Sequence, residues 1–381
     1  MAVSAVAQSA SASTTAPMGE VVVRTTALTK RFGARVAVDT LNLEVRRGDV
    51  FALLGPNGSG KTTTLRMLLG LNWPTSGQIE LFGQSAATES ARQAALRRIG
   101  SVVEQPTFYP YLNAIENLSG VATFAGLAND AATHARIQWV LETVGLAPRA
   151  KDSYRKYSLG MKQRLGVAAA LLTDPELVIL DEPTNGLDPA GINETRGLIS
   201  ALHARGVTVM LATHLLHEAQ QVATRVAILQ TGRLIAQGSV QEFLSAGQGV
   251  LVGFATEDGA YRAAQALREA NLPWAPSGTY LRPDPGAWTP PGGWLLLVNA
   301  PHERAAELNG LLVSHGLAPA EVRPYAVSLE QYFLTLTGGI GAPSGLSYSA
   351  PAYQINQSDQ SDQSDQMNPI NPAPTGEGTS A

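Results

Sequence analysis

The segment that most constrains this chain is Val50-Phe-Ala-Leu-Leu-Gly55-Pro56-Asn57-Gly58-Ser59-Gly60-Lys61-Thr62-Thr63. It fits G-x-x-x-x-G-K-[ST] and follows an apolar run of strand length. Gly55, Gly58 and Gly60 let the backbone wrap around phosphates and turn its N–H groups inward. A helix starting near Lys61 aims the positive end of its dipole at the same charge. Residues 55–63 are therefore the candidate nucleotide-binding loop. Lys61 is expected to reach the β- and γ-phosphates and the Thr62 hydroxyl to ligate Mg²⁺. A strand, loop and helix in this order place the chain in the α/β class, with a parallel sheet covered by helices.

A second element is Leu177-Val-Ile-Leu180-Asp181-Glu182-Pro183. An apolar strand ending in two carboxylates delivers both to the C-terminal edge of the sheet, where open α/β sheets bind ligands. Alternation along the strand sends the two side chains different ways. Asp181 is expected at Mg²⁺ and Glu182 at the attacking water, as base or orienter.

The rest of the chain narrows the function by exclusion. None of the 381 residues is cysteine, so disulfides, thiolate metal sites and cysteine nucleophiles are out. The net charge of −4 equals the four acids Asp359, Asp362, Asp365 and Glu377 of a segment free of Lys and Arg. The remaining body is formally neutral, with no basic excess to suggest a nucleic-acid partner. No run approaches the roughly 20 apolar residues that span a bilayer. Residues 1–19, rich in Ala, Ser and Thr, read as a disordered leader without a basic n-region, and Met18 is a candidate alternative start.

From 20 to 246, short apolar runs alternate with helical patterns, the rhythm of the nucleotide-binding domain. A smaller α/β region is expected over 249–339, with strands Val250–Phe254 and Trp294–Val298 and helices Ala260–Ala270 and Glu303–Ser314. Ser328 with Gln331 reads as a capping box opening a last helix. Residues 340–381 repeat Gln-Ser-Asp and read as a disordered acidic tail.

Tyr157-Ser158-Leu159-Gly160-Met161-Lys162-Gln163-Arg164 resembles the signature of ABC ATPases, usually Leu-Ser-Gly-Gly-Gln followed by Gln-Arg. Leu159 and Met161 depart from that pattern, while Ser158 and Gly160 keep the phosphate-facing groups. The resemblance implies more. Phe32 stands where an aromatic stacks on adenine, Asp188 lies in the D-loop that crosses the dimer interface, and His214 matches the switch histidine at the γ-phosphate. Measured back from Tyr109-Pro110, the Q-loop position falls on Glu104, a candidate Mg²⁺ ligand, with Gln105 the alternative. Ser328-Leu-Glu-Gln-Tyr-Phe and the Glu104 variant resemble the bacitracin-resistance and multidrug branch of exporter ATPases.

The fold so implied has a parallel core sheet with helices, an antiparallel β part, a helical subdomain and a small α/β region at the end. The activity implied is ATP hydrolysis with Mg²⁺, by a dimer of this chain with itself or a paralogue, at the cytoplasmic face of the membrane. It would drive a separately encoded polytopic permease, exporting a drug, peptide antibiotic or lipid-like substrate. The rival is a soluble ABC ATPase acting on ribosomes or DNA. Ribosome-associated members usually carry two cassettes, and DNA-maintenance members split the cassette with a coiled coil; neither pattern is present. A GTPase would need an Asn-Lys-x-Asp motif that the chain lacks.

Overall fold

A computed structural model describes residues 19–104, 106–246, 248–270, 278–281, 294–298, 300–326 and 329. Residues 1–18 of the expected leader, the acidic tail, Gln105 and all of the last helix except Leu329 lie outside these residues.

Strands β1 (Val21–Phe32) and β2 (Arg35–Arg46) form an antiparallel hairpin closed at Gly33 and Ala34, with Gly33 at φ 57°. Strand β3 (Val50–Leu54) runs into helix α1 (Lys61–Leu68). The chain then returns through β4 (Ser76–Leu81) and β5 (Gln84–Ser85) to complete a sheet of order β2-β1-β4-β5. Helix α2 (Glu89–Leu96) leads to β6 (Ile99–Val102), and helices α3 (Ala114–Phe124), α4 (Ala131–Thr143) and α5 (Leu159–Leu171) follow. Strand β7 (Leu177–Asp181), helix α6 (Pro189–Ala204), β8 (Thr208–Thr213), helix α7 (Leu216–Val222), β9 (Arg225–Gln230), β10 (Arg233–Ser239) and helix α8 (Val240–Ala246) complete this part.

The central sheet has the order β10-β9-β3-β8-β7-β6, parallel from β9 to β6 with β10 antiparallel at the edge. Every residue of β3, β7 and β8 is buried, as both faces of a covered parallel sheet require. Alternation sorts them. Val50, Ala52, Leu54, Val178, Leu180, Val209 and Leu211 join the core under the helices. Phe51, Leu53, Leu177, Ile179, Met210 and Ala212 join the core against the antiparallel sheet. Register then decides where function can sit. Leu54 pairs with Thr213 and Asp181 with Ala212, so the loop after β3, the carboxylates ending β7 and the residue after β8 emerge along one edge.

A third sheet of order β12-β13-β11-β14 is built from β11 (Gln248–Phe254), β12 (Gly278–Leu281), β13 (Trp294–Val298) and β14 (Glu321–Ala326), all antiparallel. Helices α9 (Glu257–Glu269) and α10 (Ala305–Ser314) fall between them, giving the β-α-β-β-α-β sequence of a split βαβ unit. Val250, Val252, Phe254, Leu296 and Val298 share a core with Ala264, Leu267, Leu308 and Leu312, so both helices cover the same face. Leu329 belongs elsewhere. It is fully buried in the core under the helices of the central sheet, and its N–H donates to Gln220 Oε1 of α7 at 3.2 Å.

Candidate nucleotide site

The loop joining β3 to α1 is shaped by close approaches of its neighbours. A Cβ on Gly55 (φ 155°) would lie 2.3 Å from the Leu229 carbonyl oxygen and 2.5 Å from Ser59 Oγ. One on Gly60 (φ 103°) would lie 2.6 Å from the Ala37 carbonyl oxygen. Both positions therefore need glycine for space as well as for φ. Ser59 N–H donates to Pro56 O at 3.1 Å, closing the turn that contains Asn57 and Gly58. Ser59 Oγ is buried without a hydrogen-bond partner.

Lys61, the first residue of α1, is buried. Its Nζ donates to Gly55 O at 2.8 Å and to Pro56 O at 3.3 Å, and stands 3.4 Å from Glu182 Oε1. A buried ammonium needs such partners, and here the loop itself and a carboxylate supply them. Thr62 and Thr63 are half-buried at the head of α1.

Asp181, ending β7, is buried, and its Oδ1 has no hydrogen-bond partner. Burial pushes its carboxyl above the usual range, and the nearby negative charge of Glu182 adds to this. A hydrogen bond from Thr62 and the charges of Lys61 and Arg66 oppose it. Glu182 adopts φ 48°, a left-handed backbone that a non-glycine residue takes up at a cost of about 1–3 kcal/mol. Its N–H donates to Ala212 O at 2.9 Å, and Oε2 lies 2.8 Å from His214 Nδ1. Lys61, Glu182 and His214 thus form one connected cluster, with Thr62 and Asp181 beside it.

The other sequence-predicted residues lie outside this cluster. Phe32, at the end of β1, is 49% exposed, with Lys30 Nζ 5.0 Å from its ring centroid. Glu104 (φ 72°) is mostly exposed and ion-paired with Arg66 of α1. Ser158 caps α5, its Oγ accepting from Met161 N–H at 3.3 Å. Asp188 caps α6, its Oδ1 accepting from Gly191 N–H at 3.1 Å. The two caps are neighbours. A Cβ on Gly160 would meet Leu187 Cδ2 at 3.7 Å, and one on Gly186 would meet Leu159 Cδ2 at 3.2 Å. No hydrogen bond or ion pair found among the described residues ties Ser158, Gly160 or Asp188 to the Lys61 cluster.

Comparison with known proteins shows the family. Residues 38–185 match the family model described as ABC transporter. The bacitracin transport ATP-binding protein BcrA of Bacillus licheniformis is 41% identical over 84% of this chain and 98% of its own length. The chain belongs to the ATP-binding subunits of ABC transporters. BcrA of Enterococcus faecalis is 35% identical over the same shares, 84% and 98%. Among solved structures, the dimeric post-hydrolysis state of the ATP-binding cassette MJ0796, bound to ADP and phosphate, is 27% identical. It covers 57% of this chain and 98% of that one, with a TM-score of 0.52. This ABC subunit is therefore an ATPase that powers transport, with the fold the sequence implied. Among the described residues no helix is long and apolar enough to cross a membrane.

Two features of the ABC subunit's site escaped the sequence. The Lys61–Glu182 ion pair joins positions from different motifs, and only the β3-β8-β7 register brings them together. Arg66, which holds Glu104, belongs to no motif; its one signal is a basic residue on the turn of α1 after Lys61 and Thr62.

Proposed function

We propose that the cluster at the end of β3, β7 and β8 hydrolyses ATP to drive a separately encoded membrane permease. The observation that carries this reading is the contact of Lys61 and His214 with one carboxylate, Glu182, at the edge of a parallel sheet. ATP phosphates would enter residues 55–63, and Lys61 Nζ would exchange the Gly55 and Pro56 carbonyls for β- and γ-phosphate oxygens. Water attacks the γ-phosphorus in line, and the bond to the β–γ bridging oxygen breaks with its electron pair leaving on ADP. Glu182 accepts or orients the water proton, while His214 fixes the carboxylate and reaches toward the γ-phosphate.

The residues present fit Mg²⁺. Asp181 has a buried, unpartnered oxygen, and Thr62 bonds the same carboxyl. No group of three or more His, Asp and Glu forms a metal cage among the described residues, and Mg²⁺ is held by few protein ligands plus phosphate. Thr62 and Asp181 would hold it, with Glu104 a further ligand once released from Arg66; bound there, the ion offsets charge on the phosphate oxygens. On this reading Phe32 stacks on adenine, and Ser158 and Gly160 at the α5 N-terminus meet ATP held by the loop of a second subunit, with Asp188 at the shared interface.

Residues 20–246 are then the ATPase domain and 249–339 an accessory domain. The partners are a second copy or a paralogous ATPase and a polytopic permease, at the cytoplasmic face of the membrane. Tyr109, Tyr111 and Phe124 are exposed by 65%, 79% and 88%, an aromatic group on and before α3 that suits an apolar partner. The relatives' names, bacitracin transport ATP-binding proteins, favour a peptide antibiotic as the transported substrate, and export is the direction we infer from the resemblance of the sequence to exporter ATPases. The test is a mild-detergent pull-down of tagged chain from native membranes. A stoichiometric polytopic protein is expected; ribosomes or DNA without one would overturn the transport reading and leave the ATPase chemistry standing.

A further inference from the structure

The hairpin that carries Phe32 also carries a cation with no acidic partner among the described residues. Arg35 is the residue of β2 paired directly with Phe32, across the turn at Gly33 and Ala34. Directly paired residues project from the same face of a ribbon, so the Phe32 ring and the Arg35 guanidinium share a face. Arg35 is exposed and takes part in no ion pair found among the described residues. The nearest acid that follows along β2, Asp39, is engaged by Arg233 at 2.8 Å. Arg35 Nη2 nevertheless reaches the phosphate loop: it lies 3.8 Å from where a Cβ would stand on Gly58.

These placements bracket one part of the nucleotide. The base lies at Phe32 and the β- and γ-phosphates lie in the loop at Lys61. Arg35 shares a face with the first and stands beside Gly58 of the second. Between base and β-phosphate a nucleotide has its ribose and its α-phosphate, and only the α-phosphate is anionic. A guanidinium matches phosphate oxygens with two parallel N–H donors, in a geometry that lysine cannot reproduce. We propose that Arg35 binds the α-phosphate, a nucleotide-affinity residue of this site that no sequence motif contains. The inference rests on the nucleotide-site reading above, including adenine at Phe32.

Because ATP and ADP share the α-phosphate, Arg35 contributes equally to both and little to the chemical step. The experiment is calorimetric titration of full-length wild type, R35A, R35K and F32A with ADP, a non-hydrolysable ATP analogue and adenosine, beside steady-state ATPase assays. For R35A, affinity for ADP and for the ATP analogue should fall by about tenfold alike. Adenosine binding should not change, KM should rise and kcat should stay within about twofold, with R35K recovering only part of the loss. The loss should shrink as salt rises, since the contact is exposed. Unchanged affinity for both nucleotides overturns the proposal. A loss confined to the ATP analogue overturns it too, because it moves the guanidinium to the γ-phosphate. F32A separates the two readings: if it leaves all three ligands bound as in wild type while R35A weakens both nucleotides, adenine stacking fails and the phosphate contact stands.

Discussion

At the scale of single residues, the site is held ready by contacts that nucleotide binding must rearrange. Lys61 is satisfied by two loop carbonyls and Glu182, and Glu182 is pinned between Lys61 and His214 in a left-handed backbone. Glu182→Gln keeps the shape and the hydrogen-bonding capacity but removes the basic oxygen. It should cut turnover by about 10²–10⁴-fold while ATP affinity changes little, measured by phosphate release and by nucleotide titration. Full turnover in this variant would sink the assignment of Glu182. Lys61→Ala should instead weaken binding of both nucleotides as well as turnover. His214→Ala should lower kcat, with a smaller loss of ATP affinity than Lys61→Ala and no loss of ADP affinity, since it bonds Glu182 and reaches only toward the γ-phosphate. Lys61 and Glu182 were legible in the sequence because the glycine-rich loop and the acid pair after an apolar strand occur together, and His214 only through the resemblance to ABC ATPases. Arg35 was not, because an arginine after a turn is ordinary until the register with Phe32 and the closeness to Gly58 are known.

At the scale of elements, the central sheet separates activity from anchorage. Its C-terminal edge carries the cluster, while the opposite end is tied by Glu176, just before β7. Glu176 accepts from Arg98 Nη2 at 2.9 Å and from Arg47 Nη1 at 2.7 Å. Arg98 first, then Arg47, hold its carboxyl down from 4.5 to about 2. A lowered folded value stabilises the charged form, so this contribution is complete above 4.5 and fades as pH falls from there toward 2. Glu176→Gln should therefore lower Tm at neutral pH and leave kcat unchanged. The gap from wild type should close in acid, read by thermal unfolding across pH 2–7.

Helix α5 approaches β6 closely at Gly100, and the segment after β6 closely at Gly166. A Cβ on Gly100 would lie 2.1 Å from the Ala170 carbonyl oxygen, and one on Gly166 2.4 Å from Pro106 Cγ. Gly100→Ala must part the helix that Ser158 caps from the strand that leads to Glu104. A loss of about 3 kcal/mol or more is expected in denaturant unfolding. The sequence displayed the strands and the helix through their periodicity. It could not display this approach, since an isolated glycine in a strand is equally consistent with a bulge or a weak position. The strands Val250–Phe254 and Trp294–Val298 were likewise visible as apolar runs, whereas their place beside β12 and β14 depends on pairings between distant segments.

At the scale of the whole molecule, Ser158 and Gly160 make no bond to the Lys61 cluster of their own chain, which on the proposed reading leaves each site to be completed by a second subunit. The Glu182→Gln variant, able to bind ATP but not to spend it, should elute at twice the monomer mass with ATP and Mg²⁺ and at monomer mass with ADP, by size exclusion with light scattering. Monomer in both conditions would count against the sandwich. The position of Leu329 has a different consequence, one of timing. The core under the central helices is closed by a residue that leaves the ribosome only after the entire third sheet. A chain emerged as far as Ala246 already holds every residue named for the nucleotide site but lacks Leu329, which is buried in this core and bonded to α7. During synthesis one subunit's share of the site is thus present before the residue that closes the core beside α7 has been made.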